Sequence, residues 1–475
     1  MQKLFSLKLP RESLLILLIV FMLPIEHMYD RFFRSFFLHH TMLPKETIKS
    51  LYLYASDVII LFFSLTLIFL KKIPLKEFFW QKSAKYFSSL VLLALLSLIN
   101  AKTDVSIMHW SRAFYLFITL LFFCSILLIF RSVSPKPFLY LLFSTLLFLG
   151  LFESVVAISQ YFLQGPIGLR LLGEPKMHAG GFHPACIGMP DHSRWLLDGI
   201  LTAPHKSASI MRAYGTMAHP NVLGGFLFFC LMANLCLFQL SRRRALKGFL
   251  ALAFFTLTFA LFITYSRSAL FAWLGATSFW ILLLFLKGKK EGGLRKGYTQ
   301  VRLLILMVFF SLALTVVLLY PQIKSRGGLV NYNALAKDSD QVRLQSQSIS
   351  WEVIKKFPVT GLGFHNFEKG VKAHVKGPFA MVHNIYLLVA TEMGLVALAL
   401  FICFIGSSLR GFKENWQDPF YASLFCLFCG FLFIGGCDFY LLFFHQGKLM
   451  FFLIAALLTA TAVREKSEES LPILI

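Results

Sequence analysis

Long runs of apolar residues, each about the length of a membrane helix, alternate along the chain with shorter polar segments. A bilayer core about 30 Å thick needs roughly 20 apolar residues per helix. Within the lipid, every backbone N–H and C=O group must be hydrogen-bonded inside the protein, which a helix achieves. The runs therefore predict an all-α integral membrane protein with about twelve transmembrane helices. They lie near residues 13–28, 51–70, 86–100, 113–130, 137–163, 220–240, 246–263, 268–286, 302–320, 384–406, 419–437 and 447–463.

The spacing of these runs predicts six segments. They are N-terminal membrane helices with about five spans (1–163), a first long loop (164–219), central helices with about four spans (220–320), a second long loop (321–382), C-terminal helices with about three spans (383–463) and a tail (464–475). Loops of this length are usually functional rather than connective.

Composition excludes other classes of protein. Of the 475 residues, 57% are apolar and 15% are charged, whereas soluble domains carry about 25% charged residues. So much apolar surface also excludes disorder. The net charge of +23 would indicate nucleic-acid binding in a soluble protein. Here the bilayer accounts for it, so we expect no nucleic-acid partner.

The distribution of Lys and Arg orients the spans. With a cytoplasmic N-terminus, the inner loops carry these residues at about two and a half times the density of the outer loops. This bias predicts that both termini are cytoplasmic and that both long loops lie outside. The second long loop is nevertheless rich in basic residues, among them Arg343. An anionic ligand would explain that excess, and a solvated basic surface is the alternative.

A first candidate site lies where the first long loop enters the 220–240 span, in the sequence Arg212-Ala-Tyr-Gly-Thr-Met-Ala-His219-Pro220-Asn221. Proline after polar residues predicts a capped helix start. The unpaired N–H groups of such a start attract anions, and Arg212 would add a positive charge. The alternative is an ordinary capped span with an interfacial arginine.

A second candidate is the turn Thr264-Tyr-Ser-Arg267-Ser-Ala269, which predicts a tight hairpin between two spans. An arginine near membrane depth costs at least a few kcal/mol unless it is paired. We therefore expect Arg267 to face a ligand or an ion-pair partner. Snorkelling to lipid phosphates is the alternative.

A third candidate closes the second long loop, where His383 and Asn384 stand just before a span. A histidine at the membrane face can exchange a proton near neutral pH. The alternative is an interfacial side chain without a catalytic role. His365, which follows the Gly361-Leu-Gly363 segment, has an equal claim on composition.

A metal site is not expected. His178, His183, Cys186 and His192 have the residue types of a zinc site, but their spacing matches no compact ligand pattern. The chain also lacks a phosphate-cradling glycine-rich loop of the G-x-x-x-x-G-K-[ST] type. We therefore expect no cofactor.

In their order and predicted placement, these motifs resemble the O-antigen ligase and polymerase superfamily of polytopic glycosyltransferases. The resemblance is close over about residues 210–400. Its carriers are the Arg-x-x-Gly-Thr-x-x-His-Pro-Asn stretch at 212–221, the Ser-Arg-Ser-Ala turn at 266–269, Arg343 with Trp351, the Gly361-x-Gly363 segment, and His383-Asn384-x-Tyr386 followed by Glu392 and Gly394. The 164–211 segment looks longer than the resemblance leads us to expect.

The resemblance implies metal-free transfer of a glycan from undecaprenyl diphosphate to an acceptor hydroxyl, at the periplasmic side of the bacterial inner membrane. It implies that Arg212 and Arg267 hold the diphosphate and that His383 takes the acceptor proton. The further substrate contacts that we predict on this basis are Arg343, His219, Asn221 and Asn384. The expected partners are the lipid-linked glycan donor, lipid A-core or another glycan or protein acceptor, and the bilayer.

Several activities remain open at this point. Ligation of O-antigen to lipid A-core, polymerisation of lipid-linked repeat units and glycan transfer to a protein share the same motifs, and the long 321–382 loop slightly favours a ligase. From another class, a transporter or flippase of lipid-linked glycans would also have about twelve spans and buried arginines. Against it, the sequence shows no matching interrupted helices in two halves.

Overall fold

The computed structural model describes residues 11–23, 54–70, 79–101, 105, 107–132, 135–175, 186–188, 209–290, 294–326, 334–374 and 380–468. Most of these residues are helical. The helices up to the first long loop are α1 Arg11–Met22, α2 Ala55–Leu65, α3 Lys82–Ile99, α4 Ile107–Ser132 and α5 Pro135–Leu163. A π-helical turn, Thr66–Leu70, continues α2.

The rest of the chain adds a 3-10 turn, Arg170–Leu172, and eleven α-helices in the described ranges. They are α6 Pro220–Leu240, α7 Arg244–Ile263, α8 Arg267–Lys290, α9 Leu294–Arg326, α10 Ala334–Lys356, α11 Phe367–His374, α12 Ile385–Ser408, α13 Phe412–Asn415, α14 Pro419–Cys437, α15 Tyr440–Phe443 and α16 His445–Glu468. Two short strands, β1 Cys186–Gly188 and β2 Ser209–Met211, pair antiparallel with Cys186 opposite Met211.

Ten stretches of the described helices are long and apolar enough to cross a membrane. They are Lys82–Ile99, His109–Phe130, Pro135–Leu163, Pro220–Leu240, Arg244–Ile263, Arg267–Lys290, Val301–Tyr320, Ile385–Asn415, Pro419–Cys437 and His445–Ala462. Each coincides with a predicted span. The other two predicted spans, 13–28 and 51–70, coincide with shorter helices, since α1 has 12 residues and the second apolar stretch is Ser56–Phe69. The prediction of an all-α polytopic membrane protein is confirmed.

The chain forms two compact units. Unit 1 comprises residues 1–138, 342–415 and 435–475, and unit 2 comprises 139–341 and 416–434. In unit 1, α3 packs against α12, and α4 packs against α16. Phenylalanine rings link these helices further: Phe87 of α3 stacks on Phe452 of α16 at 4.2 Å and meets Phe123 of α4 edge-on at 5.8 Å. Such close ring packing stabilises helix pairs in lipid, where the hydrophobic effect does not drive helices together.

In unit 2, α6 is the central helix and packs against α7 and α8, with residues 220–238 buried. Small residues allow this close approach. A Cβ at Gly224 would lie 2.9 Å from the Cβ of Ser266, and one at Gly150 would lie 2.7 Å from the Cβ of Cys230. Glycine at these positions therefore lets neighbouring helices touch.

The second predicted long loop contains ordered helices. In its unit 1 part, the end of α10 and all of α11 share a small apolar core with the start of α12, formed by Ile349, Val353, Leu362, Phe367, Val371, Val382 and Leu388. This core holds the segment that leads to His383. The boundaries of the six predicted segments remain a prediction.

Candidate functional site

The Arg212 guanidinium in unit 2 is held by the protein itself. Its Nε donates a hydrogen bond to the Thr264 carbonyl at 2.7 Å, and its Nη2 donates to Asn221 Oδ1. The side chain is 6% exposed. Alongside it, the Ala213 backbone N donates to the Ile263 carbonyl at 3.1 Å. Arg212 therefore links the start of α6 to the turn that follows α7, which brings two of the predicted candidate motifs together.

The start of α6 has the predicted cap. His219 is the N-cap residue, and its Nδ1 accepts a hydrogen bond from the Asn221 backbone N at 3.1 Å. Pro220 occupies the first helical position, where its missing N–H costs nothing. The predicted helix start is confirmed. His219 and Asn221 thus both act within the protein, one as a cap and the other as a partner of Arg212.

Two residues that the sequence analysis missed, Glu153 and Gln160 in α5, hold the loop between Arg212 and α6. Thr216 donates to the Glu153 carboxyl from its backbone N at 2.9 Å and from Oγ1 at 2.6 Å. Gln160 accepts from the Gly215 backbone N at 2.8 Å and donates to the Gly215 carbonyl at 2.9 Å. A carboxyl and an amide inside an apolar span are the signal that could have identified them.

The turn before Arg267 is as tight as the sequence predicts, because α7 ends at Ile263 and α8 begins at Arg267 itself. Tyr265 adopts a left-handed φ of 49°, which a bulky residue rarely does. Its hydroxyl lies 3.2 Å from that of Tyr161, and burial raises the pKa of the Tyr265 phenol well above its ordinary value. The turn is therefore fixed, and it places the half-buried Arg267 at the N-terminus of α8.

In unit 1, His383 faces a buried carboxylate. Its Nδ1 lies 3.4 Å from Oδ1 of Asp438, and the two side chains are 22% and 4% exposed. The Phe439 ring meets the imidazole nearly edge-on, with centroids 4.9 Å apart. The Nδ1 to Oδ1 distance suits an ion pair but is long for a hydrogen bond. Asp438, which the sequence analysis missed, is placed to orient this imidazole.

Asn384 and Arg343 lie near the same end of α14. Asn384 caps α12 by accepting hydrogen bonds from the backbone N of Tyr386 at 2.9 Å and of Leu387 at 3.0 Å, and its Nδ2 donates to the Gly436 carbonyl at 3.2 Å. Arg343 interacts electrostatically with Cys437. The buried Nε of Arg343 has no hydrogen-bond partner among the described residues, as is expected of a donor that binds a ligand.

The segment before α11 is built on a break in α12. Gly394 has a left-handed φ of 86°, and the broken helix pairs with the loop: Leu362 N donates to the Thr391 carbonyl at 2.9 Å and Leu395 N to the Pro358 carbonyl at 2.7 Å. The Glu392 carboxyl accepts from the backbone N of His365 at 2.9 Å and of Phe367 at 3.2 Å. An interrupted span therefore holds the loop in place.

His365 differs from His383 in its surroundings. Its ring stacks on Phe443 at 4.7 Å. Burial, together with the charges of Arg112, Lys448 and His109, lowers the pKa of His365 well below its ordinary value. The described contacts of the two histidines therefore favour His383, which has a carboxylate beside Nδ1, as the residue that could carry a proton.

His178, His183 and His192, considered above as zinc ligands, lie outside the described residues, and of Cys186 only the backbone in β1 is described. Within the described ranges, no group of three or more His, Cys, Asp or Glu side chains could hold a metal ion.

Residues 252–402 match the family model described as O-Antigen ligase. This match, which covers about a third of the chain, supports a relationship to the O-antigen ligase and polymerase superfamily. The O-antigen ligase match includes Arg267, Arg343, His383 and Glu392, whereas the 212–221 stretch precedes it. No curated protein matches the chain. The O-antigen ligase family implies a glycosyltransferase-type enzyme, here in a multi-pass membrane protein.

Proposed function

We propose that the protein transfers a glycan from undecaprenyl diphosphate to an acceptor hydroxyl at the periplasmic face of the bacterial inner membrane, and that this reaction is the ligation of O-antigen to lipid A-core. The O-antigen ligase domain supports the class of reaction. The observation that carries the mechanism is the pair formed by His383 and Asp438, 3.4 Å apart.

In the proposed reaction His383 is the general base. Asp438 faces Nδ1, so Nε2 is the nitrogen that accepts the proton, as in other histidine–carboxylate pairs. The acceptor oxygen loses this proton as it attacks the anomeric carbon of the donor sugar. The bond from that carbon to the diphosphate oxygen breaks, and undecaprenyl diphosphate leaves with the electron pair. Direct attack of this kind inverts the anomeric configuration. A positioned base contributes about 10² to 10⁴ in rate.

Arginines are the proposed contacts for the negative charge. Arg212, Arg267 and Arg343 can each present a planar guanidinium to phosphate oxygens, which stabilises the charge that develops on the leaving diphosphate. The unpartnered Nε supports this role for Arg343 among the described residues. His219, Asn221 and Asn384 remain proposed substrate contacts. His219 and Asn384 each cap a helix, and Asn221 accepts a hydrogen bond from Arg212, so these residues also suit a role in positioning the site.

The test uses purified protein in lipid nanodiscs with an undecaprenyl-diphosphate glycan and lipid A-core, with product measured on gels, with and without EDTA. We expect transfer by the unmodified protein, unaffected by EDTA, and a loss of at least about 10²-fold in His383→Ala. His374→Ala is the matched control, because His374 is another unit 1 histidine that packs on a ring, that of Phe357 at 5.0 Å.

Full activity in His383→Ala would refute the base assignment. Transfer that EDTA abolishes would argue against a metal-free reaction. Glycan chain growth in the absence of lipid A-core would identify a polymerase instead of a ligase.

A further inference from the structure

Helix α10 carries apolar side chains on two opposite sides. On one side, Ile349 and Val353 pack into the small apolar core of unit 1. With about 3.6 residues per turn, Leu344 and Trp351 lie nearly in line on the opposite side. Leu344 is 67% exposed and Trp351 is 53% exposed. A helix that faces water on one side is expected to carry polar side chains there, so this second apolar side needs an explanation.

A basic residue completes this side of the helix. Lys355 lies one turn after Trp351 on the same line and is exposed. We call Leu344, Trp351 and Lys355 the exposed face of α10. Tryptophan prefers the boundary between lipid headgroups and acyl chains. A lysine can lay its stem along apolar surface while its ammonium reaches the phosphates. The chemistry of the exposed face therefore matches the surface of a bilayer.

The neighbouring helix α11 shows what a water-facing side looks like in the same unit. Its exposed side chains include Glu368, Lys369 and Lys372. Lys372 Nζ donates to Glu368 Oε1 at 3.1 Å, and both side chains are about two thirds exposed. Such an i,i+4 pair is typical of a solvated helix surface. The exposed face of α10 differs from it in kind.

The end of α10 meets the lipid-facing surface of α12. Leu395 N donates to the Pro358 carbonyl at 2.7 Å, and the next loop residue, Val359, is 67% exposed. Leu395 and Val396 are 44% and 51% exposed in a helix that is long and apolar enough to cross a membrane. Exposed apolar surface is therefore continuous from α12 to the loop that follows α10.

The break in α12 also marks where its lipid-facing part begins. Every residue of α12 before Leu395 is buried or half-buried by the protein. From Leu395, the candidate span continues to Asn415, which alone is about the 20 residues that a bilayer needs. The loop that pairs with this break is therefore at the surface of the bilayer.

Helix α3 gives a second, independent level for the same loop. It is a candidate span that ends at Ile99. Phe364 N donates to Ser97 Oγ at 3.0 Å, and a Cβ at Gly363 would lie 2.9 Å from the Cβ of Ala101. The loop after α10 thus contacts one span where that span ends and another where its lipid-facing part begins.

We propose that the exposed face of α10 lies on the bilayer, with Leu344 and Trp351 among the headgroups and upper acyl chains and Lys355 on lipid phosphates. Amphipathic helices that carry tryptophan, leucine and lysine bind the membrane interface in this way, and anionic lipids attract the lysine. The partner is the phospholipid surface itself. Contact of α10 with lipid does not depend on the reaction that the protein catalyses.

The test places a nitroxide, carried by an unnatural amino acid, at position 344, 351 or 369 of the full chain. The protein is held in nanodiscs of phosphatidylcholine and phosphatidylglycerol. Position 369 is the matched control, because Lys369 is exposed on α11. Electron paramagnetic resonance measures accessibility to oxygen, which enters lipid, and to a nickel chelate, which stays in water. Exposed positions tolerate such changes with little loss of stability, which the Tm of each labelled protein checks.

We expect the oxygen-to-nickel ratio at positions 344 and 351 to be at least about fivefold higher than at 369, since an interfacial helix buries its apolar face about 5–10 Å deep. Equal ratios at the three positions would place the exposed face in water and overturn the proposal. Low accessibility to both reagents would mean that protein covers the face, such as a second copy of the chain. Protection that appears only after lipid A-core is added would assign the face to the acceptor. Each of these results would also overturn the proposal.

Tryptophan fluorescence tests the same contact without a label. The emission lost in Trp351→Phe belongs to Trp351, and phospholipids with brominated acyl chains should quench it. Trp110→Phe is the positive control, because Trp110 is 44% exposed in a candidate span. We expect the quenched fraction for Trp351 to be within about twofold of that for Trp110, as for a ring at the membrane interface. A Trp351 signal that brominated lipid leaves unchanged would overturn the proposal.

Discussion

The two units hold their candidate residues in different ways. In unit 2, Arg212 helps to hold the structure together, because its guanidinium donates hydrogen bonds to both the Thr264 carbonyl and Asn221. In unit 1, backbone hydrogen bonds around Gly394 hold the loop before α11 to the broken helix α12. His383 is not among the residues that form these hydrogen bonds, and its described contacts are Asp438 and Phe439. Loss of the unit 2 arginine should therefore damage structure and function together, whereas loss of the unit 1 histidine should damage function alone.

Arg212→Lys is the strongest test of this difference. Lysine cannot donate to both the Thr264 carbonyl and Asn221 in the same geometry. Each hydrogen bond from a charged donor contributes about 1.5–3 kcal/mol. We expect transfer to fall to background and the free energy of unfolding to fall by about 3 kcal/mol or more, measured by glycan transfer and by thermal unfolding in detergent.

Arg243→Lys is the control for this prediction, because Arg243 is exposed at the start of α7 and such changes shift stability by about 0.5 kcal/mol or less. The difference between the two units would be refuted if Arg212→Lys kept the Tm of the unmodified protein while His383→Ala lost stability.

Gly394→Ala tests the backbone hydrogen bonds of unit 1. A Cβ at this position would lie 2.1 Å from the Val359 carbonyl oxygen, on a residue with a φ of 86°. We expect a loss of about 3 kcal/mol in the free energy of unfolding, with transfer lost as the loop before α11 shifts. Gly406→Ala, in the same helix with nothing within 4 Å of the added Cβ, should be neutral. Equal Tm values for the two variants would mean that the break in α12 does not support the loop.

The pH dependence of stability gives the smallest expected effect. The lowered pKa of His365 means that the unfolded chain gains a proton below about pH 6.5 that the folded chain does not take up. Stability should therefore fall as the pH falls from 7 to 5.5, by up to about 1.4 kcal/mol per pH unit from this residue.

In His365→Asn this contribution to the pH slope should vanish. Asparagine tolerates the left-handed backbone of residue 365, whose φ is 57°. Thermal unfolding between pH 5.5 and 7.5 measures the slope. The same slope in the variant and in the unmodified protein would show that His365 does not carry the effect.

The apolar runs predicted the membrane helices well because span length is set by the bilayer, and the cap at Pro220 and the tight turn before Arg267 follow from local sequence. The partners of the candidate residues did not follow from sequence. Asp438 meets His383 across 55 positions, and Glu153 meets Thr216 across 63. Contacts this far apart along the chain depend on how helices pack, which no local pattern records.

The break in α12 was not predicted from the sequence, because Gly394 lies inside a predicted span whose apolar residues continue on both sides of the Thr391-Glu392 pair. A glycine inside a span is compatible with close helix packing as well as with a break. The choice between His365 and His383 likewise needed the surroundings of each ring, since both are single histidines in the same predicted region.

The pairing of Pro358–Gly363 with Thr391–Leu395 has a consequence for engineering substrate preference by exchanging loops between relatives. Gly361 and Gly394 each approach the opposite backbone so closely that an added Cβ would lie 2.4 Å and 2.1 Å from it. The loop and the broken helix are therefore one module although a span boundary separates them in sequence. A chimera that transplants the loop should carry residues 391–395 with it, because the incoming loop otherwise meets a helix of the wrong shape.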